Sequence, residues 1–117
     1  LSKDSDEIHR IALRSKNMGF AGVVCPAPAW AEPCNRAFTP TNEQVEMYRE
    51  TRRLFAEAVA RGTAAVPYPG TARMIDVPVD ERARVMLELW ERCVVRDAEK
   101  AAAVNQDQSS KSDESVP

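Results

Sequence analysis

No stretch of this 117-residue chain approaches the ~18 consecutive apolar residues that a membrane-spanning helix requires. Nor does the chain open on a basic segment followed by an apolar run, so no secretory signal is expected. Charge of one sign is also missing. Sixteen Lys and Arg stand against 18 Asp and Glu, a net of −2, and the basic residues are scattered instead of gathered in a stripe. That balance supplies no electrostatic footprint for nucleic acid. Cysteine is scarce and unpaired in spacing. Cys25, Cys34 and Cys93 form no C-x-x-C, so they read as small buried hydrophobes in a reducing compartment, not as a metal cluster or disulfide framework. The single histidine, His9, has no partners at ligand spacing and reads as a solvated or half-buried helix residue. The chain begins at Leu1, not at Met, and its length suits one small domain or part of a larger one.

What is present is mostly helical pattern. Residues 4–18 predict a helix capped by Asp4 or Ser5, with Asp6 and Glu7 in its first turn and Gly19 just past its end. Ile8, Ile11 and Ala12 give it a modest apolar face. The segment "FAGVVC" (20–25) is short, apolar and β-branched, and predicts a buried strand. Four prolines in "PAPAWAEPCNRAFTP" forbid regular structure beyond a brief helical turn near residues 31–37. Thr41 with Gln44 three residues on is a capping box for a helix reaching about Ala60, where Gly62 ends it. Val45, Tyr48, Arg52, Phe55 and Val59 recur along it at helical spacing. Two short extended segments follow, joined at Pro69-Gly70, a strong turn signal. A long helix then starts near Asp76, with Pro78 in its first turn and Val79, Ala83, Met86, Leu87, Trp90 and Val94 along one face. The polar residues 105–117 predict a disordered tail.

One parallel-type strand cannot complete a sheet, because such sheets need several strands and covering helices. The expected fold class is therefore α/β, with this chain the C-terminal portion of a larger sheet or barrel plus a mostly helical extension.

The order of motifs is specific. "MGFAGVVCPAPAWAEPCNRAFTPTNEQV" followed by "RMIDVPVDERARVML" resembles the C-terminal part of citrate lyase β-subunit-like proteins, the family of malyl-CoA and β-methylmalyl-CoA lyases within the HpcH/HpaI aldolase group. The resemblance rests on Gly19-Phe20, Gly22, Cys25, Pro28, Glu32-Pro33, Asn35, Phe38-Thr39-Pro40 and Met74-Ile75-Asp76 with Pro78, and spans about residues 4–95. It implies a TIM (β/α)8 barrel with a helical C-terminal extension, assembled as trimers or hexamers. Residues 1–26 would be the last helix and strand of the barrel, 27–104 a lid or oligomerisation extension, and 105–117 the tail. It implies Mg²⁺ held by acidic side chains upstream of Leu1, none in this segment. It further implies making or breaking a carbon–carbon bond in a malyl-CoA- or citryl-CoA-type thioester or a related oxoacid. A cytoplasmic setting, or the mitochondrial matrix, goes with it. The fragment alone is not expected to be active.

Within that resemblance Asp76 takes the position of the aspartate thought to reach an adjacent subunit's active site as acid or base. Read from its neighbours alone it is a helix N-cap, and the two roles are compatible. Glu32 and Asn35 read as residues holding the proline loop, and Trp30 and Trp90 as packing anchors. Three positions depart from the family pattern: Ala21 replaces an acid, Val23 a lysine, and Pro26-Ala27-Pro28 stands where I-H-P is usual. The lost imidazole motivates an alternative reading, a non-catalytic oligomerisation module.

Overall fold

A computed structural model describes residues 1–114 of the chain. It is α/β and mostly helical with a short two-stranded sheet, and it divides into two compact units, Leu1–Gln44 and a second from Val45 onward.

The first unit is built from α1 (Ser5–Asn17), a 3₁₀ turn at Pro28–Trp30, and α2 (Ala31–Phe38). Asp4 is the N-cap of α1, its carboxylate accepting the main-chain N–H of Asp6 at 2.9 Å and of Glu7 at 3.4 Å. The helix ends in a Schellman motif. Gly19 N–H reaches the Lys16 carbonyl and Phe20 N–H the Ser15 carbonyl, which requires the positive φ of 100° that Gly19 adopts. Ile8 and Ala12 from α1 meet Cys34 and Ala37 from α2 in a small core, with Leu13, Trp30 and Phe38 against it. Trp30 is tied down further by its indole N–H, which donates to the Ser2 carbonyl at 3.0 Å. The prolines do not prevent α2. Pro33 sits in its first turn, where the missing N–H has no intrahelical partner to lose.

The strand expected at residues 20–25 does not form. These residues are irregular and exposed, Val24 at 89 % and Phe20 at 60 %. An extended segment becomes a strand only when another backbone satisfies its N–H and C=O groups, and no other described residue pairs with this one.

The remaining elements are α3 (Asn42–Ala60), β1 (Val66–Pro67), β2 (Met74–Ile75) and α4 (Val77–Glu114). The capping box at the start of α3 is reciprocal: Gln44 N–H donates to Thr41 Oγ1 at 3.2 Å, and Thr41 N–H to Gln44 Oε1 at 3.0 Å. β1 and β2 are antiparallel, in the register Val66 opposite Ile75 and Pro67 opposite Met74. Their turn places Pro69 and Gly70 centrally, with Thr71 N–H donating to the Tyr68 carbonyl. Gly70 takes φ 74°, the type II arrangement that the Pro-Gly pair favours.

The long closing helix also extends further than expected. Residues 105–114 are helical and exposed, not a disordered tail, and residues 115–117 of that segment lie outside the described residues. Low apolar content says only that a segment cannot bury surface. A helix already nucleated by packed turns can propagate through such residues, here helped by Lys111 bonding Asp107 one turn back at 2.8 Å.

Candidate functional site

The second unit carries the one acid that the motif order singles out. Asp76 follows β2 directly and precedes Val77, the first residue of α4. Two anchors define its place. On one side Ile75 is 1 % exposed while Met74 before it is 55 % exposed, the in–out alternation of a half-buried strand. On the other side the first turn of α4 closes on Asp76 itself. Its carbonyl accepts Asp80 N–H at 3.0 Å, and its Oδ1 accepts Val79 N–H at 3.2 Å. This is an N-cap, and it holds the half-buried side chain in one direction. The other carboxylate oxygen, Oδ2, makes no hydrogen bond among the described residues.

Around this junction α3 and α4 are joined by two contacts. Arg52 Nη1 donates to Asp80 Oδ2 at 2.6 Å, an ion pair with the Asp80 side chain only 14 % exposed. The Arg49 guanidinium lies 5.1 Å from the centre of the Trp90 ring, a cation–π contact. Trp90 is half-buried, and its partner here is a cation on α3. Arg84 on the outer face of α4 bonds Glu81 and Glu88, and its hydrogen bond to Glu81 holds that carboxyl below the ordinary carboxylate range.

A cleft of about 520 Å³ runs beside the hairpin, walled by Met47, Tyr48 and Thr51 of α3, by Arg73 and Ile75, and by Val79 of α4. Asp76 stands between two of its lining residues without lining it. Among the described residues no three His, Cys, Asp or Glu side chains come together as a metal site. None of the helices is long and apolar enough to cross a membrane.

The other motif residues belong to the first unit. Glu32 lies exposed in the first turn of α2. Asn35 is half-buried, and its carbonyl accepts both the N–H and the hydroxyl of Thr39, at 3.0 and 2.7 Å, which ends α2. His9 is half-buried on α1. Cys34 is buried, and burial first, then the neighbouring Cys25 thiol, pushes its thiol pKa up. Cys93 is buried as expected, whereas Cys25 is exposed, because the strand that would have sheltered it is not formed.

Sequence reasoning singled out neither Arg52 nor Asp80. A signal was nevertheless present. Arg52 interrupts the apolar residues that recur along α3, and its guanidinium, 41 % exposed and so partly withdrawn from water, is favoured by an acid beside it.

Comparison with known proteins places these motifs. No protein-family profile matches the chain. It is 33 % identical over 73 residues to the citrate lyase subunit beta of Haemophilus influenzae, a match that covers 62 % of this chain and 24 % of that protein. Its fold is similar to that of the protein CitE from Mycobacterium tuberculosis, crystallised in complex with magnesium, acetoacetate and coenzyme A. That match has a TM-score of 0.58 at 25 % identity and covers 75 % of this chain and 31 % of the other. The chain spans about a quarter of the length of the curated relative it matches. In sequence and in fold alike, the chain is therefore similar to one part of the citrate lyase β-like proteins.

Proposed function

We propose that this chain is the C-terminal region of a Mg²⁺-dependent carbon–carbon lyase acting on a malyl-CoA- or citryl-CoA-type thioester or a related oxoacid. In this reading the hairpin and α4 form a lid that delivers Asp76 to the active site of a neighbouring subunit in a homo-oligomer, with residues upstream of Leu1 completing the barrel. The observation that carries it is the state of the Asp76 carboxylate. One oxygen is fixed by the first turn of α4, and the other has no partner among the described residues, at the end of a hairpin. A carboxylate held in one direction can accept a proton from the substrate hydroxyl, or return one to the enolate carbon, without first being ordered. Among the described residues no three His, Cys, Asp or Glu side chains come together, so in this reading Mg²⁺ is held by residues outside this segment and Asp76 serves in proton transfer. The ligands of the Mycobacterium tuberculosis protein, magnesium, acetoacetate and coenzyme A, support the substrate class.

The test is Asp76→Asn in the full-length protein. Asparagine caps a helix as well as aspartate does, so fold and assembly should persist. Mg²⁺-dependent cleavage of malyl-CoA and citryl-CoA should fall by roughly 10²- to 10⁴-fold, the usual worth of a positioned acid or base. An unchanged rate would remove Asp76 from the chemistry.

A second reading, a non-catalytic oligomerisation module, is favoured by Pro26-Ala27-Pro28 in place of an imidazole and by exposed Met18, Phe20 and Val24. It requires the full-length protein to assemble normally and cleave neither thioester.

A further inference from the structure

The Arg52–Asp80 ion pair joins the middle of α3 to the first turn of α4 across 28 residues of sequence, with the hairpin lying between. Its geometry is poor for stability. Asp80 is mostly buried, only one guanidinium nitrogen bonds it, and its second oxygen, Oδ1, is buried with no hydrogen-bond partner. Taking a carboxylate out of water is costly, a one-pronged ion pair barely offsets that cost, and an orphaned oxygen adds to it. What such a pair does supply is direction. Asp80 is the residue whose N–H closes the first turn on the Asp76 carbonyl. Fixing Asp80 to α3 therefore fixes the peptide that carries Asp76 and, through Val79 N–H, the bonded oxygen of its carboxylate. From the other side Asp76 is held only by Ile75 and the two-residue strand pair. Without the ion pair, the start of α4 could rotate about that short strand.

We infer that Arg52 and Asp80 are positioning residues that aim the Asp76 carboxylate by clamping the first turn of α4 to α3. This rests on the reading of Asp76 as an acid or base, and the experiment separates the two. In the full-length protein, Arg52→Gln and the isosteric Asp80→Asn are compared with Arg52→Lys, each alone and combined with Asp76→Asn. Amide hydrogen exchange at Val79 and Asp80 should quicken in Arg52→Gln and Asp80→Asn, while that of α1 stays as it was. With malyl-CoA and citryl-CoA as probes, kcat should drop by roughly ten- to a hundredfold at nearly constant KM. Arg52→Lys should restore most of the loss, and neither change should matter once Asp76 is Asn. Unaltered exchange at Val79 and Asp80 in a folded Arg52→Gln protein overturns the inference and leaves Asp76 its role. An equal kcat loss in the Asp76→Asn background also overturns it, because the pair would then act elsewhere. Faster exchange together with full activity of Asp76→Asn keeps the clamp but removes the catalytic role of the residue it aims.

Discussion

Replacing Ile75 by alanine probes the hairpin register on which the placement of Asp76 depends. Ile75 is 1 % exposed, one of the largest fully buried side chains of the protein. The change removes three carbons, about 2.4 kcal/mol of transfer free energy at ~0.8 kcal/mol per buried methylene. The two-residue strand is held by short pairings, and α4 packs against it, so the hole can close only in part and a cavity term adds to the loss. The expected cost is about 3–4 kcal/mol, with Ile75→Val near 1 kcal/mol. Against a typical total of roughly 5–15 kcal/mol, the alanine variant should show a markedly lower urea midpoint. Far-UV circular dichroism follows the transition, and an unchanged slope with denaturant shows that the same surface unfolds. Met74→Ala is the internal control. Its side chain is 55 % exposed, so it should cost less than about 0.5 kcal/mol. Because strand side chains alternate, a one-residue slip would exchange these two outcomes. A Met74→Ala penalty equal to or above that of Ile75→Ala would refute the register and, with it, the direction assigned to Asp76.

Two further outcomes follow from local features. Thr41→Ala removes the hydroxyl that accepts Gln44 N–H, leaving only the main-chain half of the α3 capping box, and should cost about 1 kcal/mol in the same titration, whereas Thr41→Ser should cost almost nothing. The raised pKa of the buried Cys34 thiol makes the folded protein keep a proton that the unfolded chain gives up. Its stabilisation is whole below the ordinary thiol value of the unfolded chain and is lost as pH rises through the higher folded one. Urea midpoints should fall on the alkaline side. Alkylation followed by mass spectrometry at neutral pH should label Cys25 long before Cys34 or Cys93, and early labelling of Cys34 would contradict its burial.

The features legible in the sequence are those with local causes. Thr41 and Gln44 specify the start of α3 because the two residues satisfy each other's backbone groups whatever surrounds them. Pro69-Gly70 specifies the hairpin because a proline-set φ followed by a positive φ closes one kind of turn. Asp76 was visible both as a cap and as a motif position. The failures are non-local. "FAGVVC" has strand composition, but a strand exists only through its neighbours. The reach of α4 depends on packed turns upstream, which the polar residues themselves do not encode. The Arg52–Asp80 clamp joins residues 28 apart, beyond any periodicity.

Cys93 is the last buried side chain of α4, and 21 further residues of helix (93 to 114) run on from it, about 32 Å at 1.5 Å per residue. Packing fixes the first half of this helix as it would any core element. Beyond Arg96 every described residue is exposed, so no burial adds to the small free-energy change of each further turn. The C-terminal end of α4 is then less an end than a moving front between helix and coil, its mean position set by temperature and ionic strength, while the turns beneath Asp76 stay where the core holds them.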